Sequence, residues 1–341
     1  MTRRPGLTMT EALVAIFITA IGLVGVMSMF PFGAKQMSDA LISDRSASHA
    51  GAIDGLVRGY WKEKVVEDTS GFGNNEPFWT AMDNPSDQGP HPSNVATPTP
   101  TNPLEPSYPV FLDPMGWAGR SNSSASKRWV GDSTGSASGP SFVPRRSMRL
   151  VTDLPPPAAF NTPNTQEPSL ARRLWSQPDG FSWDEDSRPA ATDTRELRYN
   201  ALAVLQRPVN RDRYNATLKV VVFINRRDGF FPQGSEAVFP NTANPASISL
   251  TPGSTAMTIS SAADIRKGSW IMDATIDGTV RHANFYRVVS VAENTAGFYD
   301  VELHTPVKRV DGGTNAYNAV VVVMAGVADV FDRPALTGNT N

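Results

Sequence analysis

From Leu7 to Phe30 the chain is apolar almost without interruption, and its 24 residues carry one charge, Glu11. As a helix rising about 1.5 Å per residue they reach roughly 36 Å, enough to cross the hydrocarbon core of a bilayer. Past Pro31 and Gly33, which should kink or loosen such a helix, the pattern changes from continuous to periodic. Met37, Leu41, Ile53, Leu56, Val57, Tyr60, Trp61 and Val65 recur mostly at helical spacings in a polar background. This predicts one long helix, with a lipid-compatible segment over 7–30 and an amphipathic continuation over 31–68. Lys62, Glu63, Lys64, Glu67 and Asp68 read as the solvated face of its end.

Residues 69–196 break both patterns. Between 77 and 189 lie 19 of the 28 prolines, which exclude a long helix or a central strand. Yet Trp79, Trp117, Trp129, Trp175 and Trp183 fall in the same stretch, and a plain linker has no use for them. The region reads as a Pro/Ser/Gly-rich irregular insertion pinned by aromatic anchors. A carbohydrate-stacking platform is the functional alternative.

From Leu197 the period becomes that of strands. Tyr199 to Leu205 and Thr217 to Ile224 predict a hairpin; Ser269 to Ile276, Val280 to Val291, Phe298 to His304 and Ala319 to Val330 follow as a meander with Gly-containing turns. Tyr299, Val301 and Leu303 alternate with Asp300, Glu302 and His304, so one face is buried and the other wet. The run Val320 to Val323 belongs deep in a sheet. The strands of 197–333 are expected to form a single antiparallel sheet over the helix near 37–65, leaving 334–341 as a tail. The predicted class is α+β.

Composition narrows the function. The 341 residues carry 31 Lys and Arg against 33 Asp and Glu, a net charge of −2, which gathers no phosphates and makes nucleic acid a poor partner. With no cysteine there is no disulfide framework and no thiolate chemistry. Charge is placed, however, at the start: residues 1–6 carry Arg3 and Arg4 and no acid, so the positive-inside rule keeps this leader in the cytoplasm and exports everything past Phe30. The stretch from Met27 to Gly33 is a poor cleavage site for a secretory signal peptide, so the apolar run reads as an anchor.

The junction between leader and anchor is distinctive. Gly6 closes the basic leader, Leu7 opens the apolar run, and Glu11 is the fifth residue past the junction. The stretch from Gly6 to Ala15 resembles the class III signal of type IV pilins and pseudopilins, with Leu7 where Phe is usual and Thr10 where an aliphatic residue is usual. The resemblance covers about the first 60 residues. It implies a pilin-like fold, cleavage after Gly6 by a membrane prepilin peptidase, methylation of the new α-amine on Leu7, and packing of the N-terminal helix into a filament with other pilin or pseudopilin subunits. Membrane lipid would surround the helix before assembly, with the chain in the inner membrane and its C-terminal head exported.

Glu11 is singled out by physics as well. A carboxylate in hydrocarbon costs on the order of 2–3 kcal/mol near the bilayer centre and persists with a partner. The resemblance supplies one, the Leu7 amine of a neighbouring subunit; snorkelling to the headgroups is the plainer alternative. Small residues (Ala15, Thr19, Gly22, Gly25) permit close helix approach.

Catalytic signals are thin. The segment from Gly131 to Gly135 imitates a serine-protease loop with Thr134 at the fourth position, where that loop has glycine, and His49 and His91 lack a triad context. The triplet Asp184, Glu185, Asp186 lacks calcium-loop spacing, and His282 and His304 have no partner at metal-ligand spacing. The sequence therefore reads as a structural subunit of a type IV pilus-like filament, not an enzyme and without a cofactor or metal, its size favouring a minor position. A minor pseudopilin of a type II secretion system shares every one of these residues. An uncleaved single-pass anchor bearing a ligand-binding or hydrolytic ectodomain is the alternative of another class.

Overall fold

The structure, a computed structural model, describes residues 8–67, 78–79, 82, 106–113, 145–146, 174–177, 199–209, 211–224, 236–239, 247–259, 265–277, 280–295, 297–309, 312–324 and 326–338. Trp117, Trp129, Trp183, His91, the 131–135 segment and the acidic triplet at 184–186 lie outside them. The chain divides into two compact units, Met1–Arg45 and Ser46–Asn341.

One helix, α1 (Met9–Trp61), supplies the described part of the first unit and enters the second. It is long and apolar enough to cross a membrane. It runs unbroken through Pro31, which withdraws one amide from the helical hydrogen-bond ladder. The polar side chains of the apolar stretch satisfy themselves on the helix backbone: Thr19 Oγ1 donates to Ala15 O at 2.7 Å and Ser28 Oγ to Gly25 O at 2.8 Å. The large apolar side chains here are exposed, Phe30 at 81%.

In the second unit the helix acquires a buried face. Ser46, His49, Ala50, Ile53, Val57, Tyr60 and Trp61 recur at three- and four-residue steps and are covered. A π-helical turn, Lys62–Val66, extends the helix and keeps Val65 buried. The covered face thus starts at Ser46. The sequence expectation of 37–65 is too long, because Met37 is 67% and Leu41 46% exposed; helical spacing marks a face that could be buried and says nothing of what covers it.

Sixteen strands lie among the described residues. The first five are β1 (Val110–Leu112), β2 (Arg145–Arg146), β3 (Ser176–Gln177), β4 (Tyr199–Gln206) and β5 (Ala216–Ile224). Next come β6 (Glu236–Phe239), β7 (Ile248–Leu250), β8 (Ala256–Ile259), β9 (Trp270–Asp273), β10 (Ile276–Asp277) and β11 (Val280–Arg281). The last are β12 (Asn284–Glu293), β13 (Tyr299–Leu303), β14 (Tyr317–Ala319), β15 (Val321–Met324) and β16 (Val327–Leu336).

They form two six-stranded sheets, where the sequence suggested one. The first has the order β16-β5-β4-β1-β2 with β3 also on β4; the second runs β6-β15-β9-β12-β13-β8. All pairs are antiparallel except β1 with β2. Strands β10 and β11, and β7 and β14, form two further antiparallel pairs. Three strands of the first sheet come from the Pro-rich region, and β1 lies inside the sheet between β4 and β2, so the prolines do not exclude an interior strand. The run Ala319 to Val330, expected as one strand, is divided among β14, β15 and β16, and β16 runs on to a buried Leu336, past the expected start of a tail at 334.

Period-two alternation divides each strand between two cores. On β4 and β5, Ala201, Ala203, Leu205, Leu218, Val220 and Val222 join Ile53, Val57 and Trp61 of the helix. Their alternates Leu202, Val204, Val221 and Phe223 meet Met272, Ala274, Val322 and Met324 of the second sheet. That sheet's other face, with Ile271, Val288, Val301, Val321 and Val323, closes a third core. The run Val320–Val323 is therefore buried along its whole length because β15 is covered on both faces. Ala50, Ala201, Ala203 and Ala216 share this core with the Trp61 indole, whose Nε1 donates to Tyr214 O at 3.3 Å. The chain passes between the sheets through Gly326, whose φ of +76° suits glycine and whose Cβ would lie 2.9 Å from Ile224 O.

Two of the expected aromatic anchors are described, and both are buried. Trp79 packs against Trp61 with the rings tilted by 58° at a centroid distance of 5.6 Å, and carries the Arg207 guanidinium over its ring at 4.4 Å. Trp175 receives a hydrogen bond at its carbonyl from His49 Nε2, 3.2 Å away, which requires the Nε2–H tautomer. Burial holds the His49 pKa below its ordinary 6.5, against the opposing pull of that carbonyl. The unfolded chain therefore protonates first as pH falls through 6.5, and stability is lost below it. We expect the urea midpoint to drop between pH 7.5 and 5.5, and the drop to shrink in His49→Gln, which keeps a donor and cannot titrate. Equal drops in both proteins would count against this account.

Candidate functional site

Three residues carry the sequence-derived site. Gly6 and Leu7 lie outside the described residues; Glu11 stands in the first turn of α1. There the structure joins it to Thr8. The Thr8 amide and hydroxyl each donate to Glu11 Oε2 at 2.9 Å, while the Glu11 amide approaches Thr8 Oγ1 at 3.4 Å. This is a capping box, in which residue N3 reaches back to the N-cap amide while the N-cap hydroxyl reaches the N3 amide. Thr8-Met9-Thr10-Glu11 fits the S/T-x-x-E pattern that announces it, a signal the reading based on Glu11's charge passed over. Glu11 therefore has an intrachain role at the helix start, where a negative charge also complements the helix dipole.

The second arrangement is in the head and joins residues far apart in sequence. Asp273, at the end of β9, is 1% exposed and accepts four hydrogen bonds. Its Oδ1 receives the Thr275 amide at 3.1 Å and the Thr275 hydroxyl at 2.5 Å. Its Oδ2 receives the Tyr317 hydroxyl at 2.6 Å and pairs with His282 Nδ1 at 2.7 Å. Thr275 Oγ1 in turn accepts the Val320 amide at 3.0 Å. Burial, and then the Asp273 charge, push the Tyr317 pKa far above the ordinary phenol value, so Tyr317 stays a donor. Tyr286 is pushed up to about 12, chiefly by burial.

An Asp–His pair is half of a hydrolytic triad, but His282 is fully buried and its neighbour on the carboxylate is a phenol held protonated. The arrangement ties β9, the β10–β11 hairpin and β14 together and offers no reachable nucleophile. His304 is exposed and 2.8 Å from Arg287 O through its amide. Among the described residues no group of three or more His, Cys, Asp or Glu is placed to hold a metal.

Comparison with known proteins adds little to this geometry. No protein-family model matches the sequence, and no curated protein matches it. Among solved structures, the phage phi92 endosialidase matches 40% of this chain at 13% identity and a TM-score of 0.19. The match spans 18% of that protein's length, an overlap that carries no argument about fold or activity.

Proposed function

We propose that the chain is a type IV pilin-like structural subunit, cleaved after Gly6 and assembled into a filament through α1. The observation that carries this reading is the junction itself: a basic leader, Gly6, and then an apolar helix with Glu11 five residues on. The exposed apolar side chains from Leu13 to Phe32 support it, since side chains of this kind need lipid or neighbouring helices around them. On this reading the head is exported and the helix sits in the inner membrane until assembly. The subunit is then the prepilin peptidase's substrate and has no catalytic task of its own.

The capping box sharpens the test of Glu11. Gln at N3 also serves a capping box, so Glu11→Gln keeps the bond from the Thr8 amide and removes the charge alone. Incorporation into filaments should fall severalfold, because the charged partner of a neighbour's Leu7 amine is gone. Membrane fractionation and protease resistance of the head should not change. Normal incorporation of the variant would assign Glu11 to capping and reject the intersubunit pair.

A further inference from the structure

The inner faces of the two sheets do not stay dry along their whole length. Cross-strand register puts Val330 beside Val221, and one pair further on Asp332 beside Lys219, both on the face of the first sheet that meets the second. Opposite them, Phe285 pairs with Met272, and one pair further Arg287 pairs with Trp270, again on the inner face. Positions that would continue the apolar seam are thus Lys, Asp, Arg and Trp, and the sheets part into a cleft of about 360 Å³. Ligand clefts begin at roughly that size.

The chemistry of the lining is unbalanced. Three cations, Lys219, Arg287 and Lys308, line the cleft with one inward carboxylate, Asp332; Asp329, also at the lining, pairs with Val222 on the sheet's other face and accepts the Val330 amide at 2.9 Å. The Lys219 ammonium is 3.8 Å from Asp332, whose side chain is 84% exposed, so the pair is loose and its acid is mostly spent on water. Burial holds the Lys219 pKa below the ordinary lysine value; Asp332 opposes that shift and the charge of Lys308 adds to it. The rim carrying Lys308 is fixed, since its amide donates to Tyr286 Oη at 2.9 Å and its carbonyl accepts from Asn284 Nδ2 at 3.2 Å. An anion would relieve the two lysines. A bare anion, however, would leave Trp270 unused and would meet the Asp332 carboxylate.

We propose that this cleft binds an acidic saccharide, a pyranose bearing a carboxylate. Lys219 and Lys308 take the carboxylate, the half-buried Trp270 ring takes the C–H face of the sugar, and Asp332 accepts from its hydroxyls. The site lies wholly in the second unit and does not depend on processing or assembly of the helix.

Calorimetric titration of the full-length protein in detergent micelles tests this with trigalacturonate, triglucuronate, the methyl ester of trigalacturonate, and acetate. At least one uronate trimer should bind, and the uncharged ester should bind at least about tenfold more weakly. Lys308→Gln, on the exposed rim, and Lys219→Met, which keeps the aliphatic stem, should each weaken binding by about fivefold or more, and Trp270→Leu by about tenfold. An unchanged urea midpoint for Lys308→Gln keeps that result independent of folding. Absence of binding by both uronates would overturn the proposal. So would equal binding of acid and ester, displacement by equimolar acetate, or unchanged affinity in both Lys308→Gln and Trp270→Leu.

Discussion

Asp273→Ala should destabilise the head by about 3–5 kcal/mol, the cost of removing one partner from a buried charged network. Asp273 Oδ1 and Oδ2 together accept four bonds, from the Thr275 amide and hydroxyl, His282 and Tyr317. Truncation leaves all four donors facing a void at 1% exposure, where water does not replace the lost acceptor. Asp273→Asn should also be costly, because one carboxylate oxygen becomes a donor among donors. Tyr317→Phe, which removes one bond of the four, should cost about 1–1.5 kcal/mol. Urea unfolding followed by tryptophan fluorescence orders the three. A loss below about 1 kcal/mol for Asp273→Ala would mean the network does not hold the head together.

The second large effect concerns where the helix begins to pack. Ile53 is fully buried between helix and first sheet, so Ile53→Ala should cost about 2–5 kcal/mol through lost contact and the cavity left behind. Leu41→Ala, a little over three turns earlier and 46% exposed, should stay within about 0.5 kcal/mol. If both variants lose comparable stability, the covered face reaches back towards Met37 after all. If Ile53→Ala is silent, the helix does not belong to the head's core.

The contrast between these two positions shows what periodicity can and cannot say. Spacing placed Leu41 and Ile53 on comparable footing, since each fits a helical stripe; cover comes from residues more than a hundred positions away, which spacing does not see. The same limit explains the sheets. Alternation in Tyr299–Leu303 announces one wet face, and the structure keeps it, with Val301 and Leu303 buried and Asp300 and Glu302 exposed. The unbroken apolar runs at 201–205 and 320–323 carried a further message: strands apolar on both faces need cover on both, and a single sheet under a helix provides only one. A second layer was legible there.

Candidate sites divide in the same way. The capping box at Thr8 and Glu11 is local and could be read directly. Asp273 and His282 are nine residues apart on either side of a hairpin, and Tyr317 is 44 away, so nothing in the sequence brings them together. Lys219 interrupts a valine-rich strand, and the residues it shares a cleft with, Trp270, Arg287 and Lys308, belong to another sheet and its rim. The Pro-rich region lent its tryptophans as anchors, and Trp79 and Trp175 are buried as such; their arginine and histidine partners depend on packing alone.

The account of the chain as a filament subunit rests on one bond, between Gly6 and Leu7. Mass analysis of the N-terminal peptide, from protein made in cells with an active prepilin peptidase, reads that bond directly. The account predicts a chain that begins at Leu7 with a methylated α-amine. Recovery of the intact Met1 form alone, or of a chain cut between Met27 and Gly33, would contradict it.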